Sequence, residues 1–215
     1  MPGTIAHLGN LTNLGLYGVA NLGLTIFCVI LISAKRWWAV VGFRPPRRKS
    51  DLFYFIIPFL PVAFNFIPGL EITSVGHLLE ILAIALLVGF VEEVLFRGVM
   101  LQSLKTRGPW QAVIITALLF GLTHALNVLA GKDALQGAAQ VFYALGIGFA
   151  FGALVLKKGI IWPLVVAHFS IDFVNYLQRP GYSYLPGVEI SIAAGIGVVF
   201  VAYGTFIMMQ KADRS

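Results

Sequence analysis

Ile81-Leu82-Ala83-Ile84-Ala85-Leu86-Leu87-Val88-Gly89-Phe90-Val91 carries no polar side chain, and it leads directly into Glu92-Glu93-Val94-Leu95-Phe96-Arg97-Gly98. The first half asks for an apolar solvent, and the second puts two carboxylates and a guanidinium at its end. A charge at the centre of a bilayer costs at least ~3 kcal/mol, so charges attached to such a run need a reason. This stretch decides the fold class: a helix in lipid, with ionisable groups kept for a purpose.

The rest of the chain agrees. Of its 215 residues, 59% are hydrophobic and only 11% charged, less than half the charge a water-exposed domain carries. Seven apolar segments stand out, at about 14–34, 52–70, 74–96, 110–130, 138–156, 159–177 and 187–209, each of a length suited to crossing a bilayer. Between them lie turn-formers such as Pro45-Pro46, Pro68-Gly69, Gly108-Pro109, Gly131 and Pro180-Gly181. The expected fold is an all-α, polytopic transmembrane bundle of about seven spanning helices. Residues 1–215 then form a single integral membrane domain with a catalytic core at about 74–180. The first run is long enough to span, so it reads as a retained helix and not a cleaved leader.

Orientation follows from Lys and Arg. With the N-terminus outside and the C-terminus cytoplasmic, thirteen of the fifteen fall on the cytoplasmic side: Lys35, Arg36, Arg44, Arg47, Arg48, Lys49, Arg97, Lys105, Arg107, Lys157, Lys158, Lys211 and Arg214. Lys132 and Arg179 are left outside. This is the asymmetry expected of a multi-pass protein, which belongs in the plasma membrane if the host is prokaryotic. The net charge of +6 is thereby assigned to topology, with no nucleic-acid partner implied. Trp37, Trp38 and Trp110 fall beside the same boundary. Cys28 is the single cysteine, which excludes a disulfide within the chain and reads as a small packed side chain.

Two further segments bring polar groups into apolar surroundings. One contains Phe120-Gly121-Leu122-Thr123-His124-Ala125-Leu126-Asn127; the other contains His168-Phe169-Ser170-Ile171-Asp172-Phe173-Val174-Asn175. Helical spacing puts Glu93 and Arg97 on one face as an ion pair and turns Glu92 about 100° away. His168, Asp172 and Asn175 share a face, as do Phe120, His124 and Asn127. Each group alone has an ordinary structural reading: an intramembrane histidine as a packing residue, an interfacial Glu–Arg pair, an Asp near a helix end facing water. Three helices each bearing that cost are harder to explain as packing. Glu80 and Glu189 fall near outer boundaries and receive no role. His168 lies ~13 Å and His124 ~20 Å from the cytoplasmic boundary at 1.5 Å per residue. Glu92 comes level with them only if the third helix runs on to Ser103.

At Glu92-Glu93-x-x-x-Arg97, Phe120-x-x-x-His124 and His168-x-x-x-Asp172 the chain resembles the CPBP family, the CAAX proteases and bacteriocin-processing enzymes also called Abi. The resemblance covers roughly residues 80–180. It implies an intramembrane endopeptidase with a cavity open to the cytoplasm, acting on a peptide or membrane-protein substrate in the bilayer. It further implies that Glu92 and His124 activate water, that His168 and Asp172 stabilise the oxyanion, and that Glu93 and Arg97 support them without a cofactor. Type II CAAX prenyl endopeptidases usually have Asn where this chain has Asp172. An ionised carboxylate cannot donate to an oxyanion, and Asp172 donates only if burial keeps it protonated; otherwise it accepts a proton from His168 and holds that ring, which is the expected role. Two His and one Glu also make a catalytic zinc set, although the chain lacks a His-Glu-x-x-His helix. Zinc-dependent hydrolysis through Glu92, His124 and His168 therefore stays open, as does a non-enzymatic carrier or scaffold.

Overall fold

The computed structural model describes residues 11–129, 133–182, 184 and 187–210. Lys132, Lys211, Arg214 and the turn at Gly131 lie outside the described residues. The chain is all-helical there, with one isolated antiparallel bridge, Leu70 to Gln178.

Helix α1 spans Leu11–Ala34. Two 3-10 turns, Lys49–Phe55 and Ile57–Phe59, then lead into the short α2, Leu60–Asn65. Helix α3, Val75–Glu93, starts at Ser74, whose hydroxyl accepts the His77 N–H at 3.0 Å. The helical path continues through a π-helical stretch, Val94–Met100, and α4, Leu101–Leu104, to a last turn at Lys105–Arg107. It stops at Gly108, whose φ of 123° suits only glycine. The expected extension to Ser103 is present. Helix α5 is Pro109–Leu129, α6 Ala134–Lys158, α7 Trp162–Tyr176 and α8 Val188–Met209. Helix α6 is capped by the Asp133 carboxylate, which accepts from the Leu135 and Gln136 N–H groups, and it ends at left-handed Gly159.

The segment expected to span at 52–70 is not a regular helix. Pro58 and Pro61 lack the N–H a continuous ladder needs, and the backbone resolves into 3-10 turns and six residues of α2. It still runs the length of the bundle. At one end Asp51 Oδ1 accepts from Lys158 Nζ at 3.0 Å. At the other, Asn65 Nδ2 donates to the Ile171 carbonyl at 3.1 Å, and Leu70 bridges to Gln178 beyond α7.

Four helical stretches, Gly15–Ala34, Pro109–Val128, Ala134–Lys158 and Val188–Met209, are long and apolar enough to cross a membrane. Leu16, Val19, Leu118, Leu122, Val198 and Phe206 face outward, an apolar coat that lipid would cover. The protein is an integral, multi-pass membrane protein. Inside, α6 packs against α5 and α8, α7 packs against α3, and α1 leans on α3. Small residues allow the closest approaches, as membrane helices require. A Cβ on Gly146 would stand 2.6 Å from the Gly197 carbonyl oxygen, and one on Gly89 would stand 2.9 Å from the Phe169 nitrogen. Phe151, Leu154, Leu164 and Phe200 fill the centre.

Basic residues gather at one end of the bundle, where Arg44 Nε donates to the Gly159 carbonyl at 2.7 Å and Lys157 donates to that of Gln210.

Candidate active site

The contact at Gly89 brings α3 flush against α7, and three turns of chemistry follow from it. Glu93, fully buried, accepts on one oxygen from Arg97 Nη1 at 2.8 Å and from His168 Nδ1 at 2.9 Å. A carboxylate with two donors offers only acceptance, so His168 carries its Nδ1 proton and directs Nε2 elsewhere. Nε2 stands 3.7 Å from Glu92 Oε2 and 3.6 Å from Asp172 Oδ2. Both are ion-pair distances, too long for hydrogen bonds. Neither carboxylate oxygen has any other partner, although both are buried.

Asp172, expected to hold the His168 ring, pairs with it at 3.6 Å through Nε2, and Glu93 adds a shorter contact that the sequence did not show. Asp172 lies one turn above His168 on the same helix, where its carboxylate reaches only the Nε2 side. Glu93, arriving from α3, takes the orienting contact at Nδ1.

Arg97 sits in the π-helical stretch, which shifts its side chain inward; such bulges recur at functional sites. Its guanidinium lies 4.2 Å from the Phe120 ring centroid and 5.4 Å from that of Phe151. Phe120 is the hinge of the cluster, touching His124 at 5.0 Å and His168 at 6.1 Å between ring centroids. His124 Nδ1 donates to the Phe120 carbonyl at 3.0 Å, which leaves Nε2 as the bare, basic nitrogen. His124 is within electrostatic range of Glu92, His168 and Arg97. The carboxylate and both imidazoles singled out in the sequence thus converge from α3, α5 and α7.

Asn127 goes elsewhere, donating to Gln140 at 3.1 Å. Among the described residues no three His, Cys, Asp or Glu side chains form a group able to hold a metal ion.

A cavity of about 210 Å³ opens beside the cluster, lined by His124, His168, Asp172 and Asn175 together with Phe120 and Tyr143. Its lining also includes Gln136, Gln178, Tyr184 and Glu189, so Glu189, given no role from sequence, belongs to the wall. These residues lie at the end of the bundle away from the basic clusters. Asn65, Tyr143 and Gln178 also escaped the sequence reading. They carry no charge, and burial cost flags only charged groups.

A multi-pass helical protein that gathers two glutamates, two histidines and an aspartate beside an internal cavity has the makings of a membrane-embedded acid–base enzyme. Residues 74–174 match the family of type II CAAX prenyl endopeptidases described as Rce1-like, and form a domain of that family. The match bears out the resemblance carried by the three motifs, and the family it points to is one of endopeptidases. No curated protein and no solved structure matches it.

Proposed function

We propose that the chain is an intramembrane endopeptidase that hydrolyses a peptide bond with a water activated by Glu92 and His124, without a metal. The observation that carries this reading is the pair of orphaned carboxylate oxygens, Glu92 Oε2 and Asp172 Oδ2, flanking His168 Nε2, with His168 and Asp172 in the cavity wall. Buried acceptors without partners are costly and are kept where a water or substrate completes them.

In the reaction, Glu92 takes a proton from water while the bare Nε2 of His124 accepts a hydrogen bond from it. The hydroxide oxygen attacks the carbonyl carbon, and the π pair moves to oxygen. His168, held through Nδ1 by Glu93, turns Nε2 toward that oxyanion, and Asp172 balances the ring's charge when Nε2 is protonated. Collapse breaks the C–N bond, and Glu92 returns its proton to the leaving amine. Arg97 and Glu93 keep the frame neutral behind Phe120.

The whole chain acts as one membrane domain in this reading. It crosses seven times, counting the broken segment between α1 and α3, with the N-terminus outside as the Lys/Arg distribution favours. The substrate is a peptide or a membrane-protein segment.

The test is cleavage of an internally quenched peptide library by the protein in liposomes. Glu92→Ala should abolish turnover, and equal turnover by wild type and Glu92→Ala would end the proposal. The zinc-dependent version of the same hydrolysis predicts loss of activity with a chelator and recovery with added zinc. Retained activity in chelator supports the metal-free route.

A further inference from the structure

An oxyanion needs donors, and the cluster is short of them. Asp172 stands where a carboxamide would donate, and an ionised carboxylate only accepts. His168 has committed Nδ1 to Glu93 and has one nitrogen left. Much of the remaining wall of the cavity comes from α6, a helix that contributes no motif, with α8 and α2 completing it. Gln136, Gln140, Tyr143, Ile147 and Phe151 line the cavity at helical spacing, so one continuous face of α6 looks across at α5 and α7. Tyr143 is the hydroxyl in the middle of that face, one turn inward from Gln140 and one turn outward from Ile147.

We propose that Tyr143, on the cavity face of α6 opposite His168 and Asp172, donates its phenolic hydrogen to the oxyanion formed during hydrolysis. It supplies the hydrogen bond that Asp172 cannot. The proposal rests on the hydrolase reading of the same site.

Three features support it. Tyr143 and Asp172 line the same cavity, so the phenol faces the hollow in which a donating residue should stand. The ring is held by the apolar core around Ala144, Ile147 and Phe151, and a donor fixed before the reaction is worth most in a site shielded from water. A neutral phenol also adds no charge to a hollow already flanked by carboxylates. The chemistry balances without a further reactant. The hydrogen stays on the phenol oxygen throughout, shared with the oxyanion as it forms and released as the C–N bond breaks.

The experiment uses the full chain in liposomes and one internally quenched peptide that the wild type cleaves. Tyr143→Phe should lower kcat about 10²-fold, the usual effect of losing one oxyanion donor. KM should stay within about threefold, and the unfolding temperature should not change. Asp172→Asn introduced into Tyr143→Phe should recover about tenfold in kcat, because the new carboxamide can donate. A merely structural tyrosine would show neither the kcat-only loss nor the rescue. Tyr143→Phe within twofold of wild type while Glu92→Ala is inactive overturns this inference and leaves the hydrolase intact. A loss that tracks a lower unfolding temperature, with no recovery when Asp172→Asn is added, overturns it as well. Wild type and Glu92→Ala cleaving equally would instead bring down the hydrolase reading itself.

Discussion

Glu92 and Glu93 are adjacent in sequence and opposite in circumstance. Glu93 has no exposed surface and holds both Arg97 and His168. The Glu92 side chain keeps 27% of its exposure and makes no contact to His168 shorter than 3.7 Å. Removing one partner of a fully buried pair strands the other, at about 3–5 kcal/mol. Glu93→Gln is therefore expected to lower the unfolding transition sharply, read by circular dichroism in detergent, and to lose activity through misplacement of His168. Glu92→Gln should unfold within about 0.5 kcal/mol of wild type, as a partly exposed, unpaired group does, yet lose cleavage at least about 10³-fold. A Glu92→Gln protein that unfolded as readily as Glu93→Gln would make Glu92 a structural residue. The sequence separated these two by helical angle alone, because only Glu93 has Arg97 four residues on. It could not show that the same oxygen also holds His168, since that depends on how α7 is turned.

Helix contacts set the distances that the site depends on. At Gly89 a Cβ would meet the Phe169 backbone nitrogen at 2.9 Å, so Gly89→Ala must push α3 and α7 apart just above Glu92, Glu93 and His168. A displacement of this kind near reacting groups can cost about 10²-fold in rate. Gly89→Ala should show that loss in kcat with a smaller change in unfolding temperature, whereas unchanged kcat would mean that the α3–α7 spacing is not what aligns the site. At the opposite end, Asp51 ties the broken segment to α6 through Lys158, whose ammonium also lies 3.9 Å from the Tyr54 ring centroid. Burial pushes the Asp51 carboxyl up, but hydrogen bonds from Lys158 and the Arg48 N–H outweigh it and hold the group below its ordinary 3.8. A carboxyl lowered on folding stabilises the protein fully above that ordinary value and loses its contribution as the pH falls through the folded one. Asp51→Asn should thus cost about 3 kcal/mol at neutral pH, the low end for a buried pair. The difference from wild type should shrink below pH 3.8; one that held constant into acid would remove the ion pair as its cause. Hydropathy marked this segment as apolar enough to span but could not give its form. It averages over Pro58 and Pro61, which break the backbone ladder while leaving the side chains apolar.

At the scale of the molecule, charge and cavity make opposite claims about which face is cytoplasmic. The basic residues from Lys35 to Lys49, with Lys105, Arg107, Lys157 and Lys158, lie at one end, and the cavity lining reaches the other at Gln136, Gln178, Tyr184 and Glu189. Family resemblance implies a hollow that faces the cytoplasm, but orientation is imposed during insertion by Lys and Arg in short loops. A bundle reversed to suit the cavity would carry thirteen of its fifteen basic residues outside, the distribution insertion works against. Lys and Arg act directly on insertion, so the cavity mouth is expected on the outer face, with substrate entering from there or from the outer leaflet. Cys28 is the single cysteine and is buried, so a Cys28→Ala background gives a clean assay. Gln136→Cys and Arg107→Cys in intact cells, treated with a membrane-impermeant maleimide, read the two ends separately. Labelling of the first alone supports an outward mouth. Labelling of the second alone reverses the molecule, and Glu92 would then work on peptides delivered from the cytoplasm.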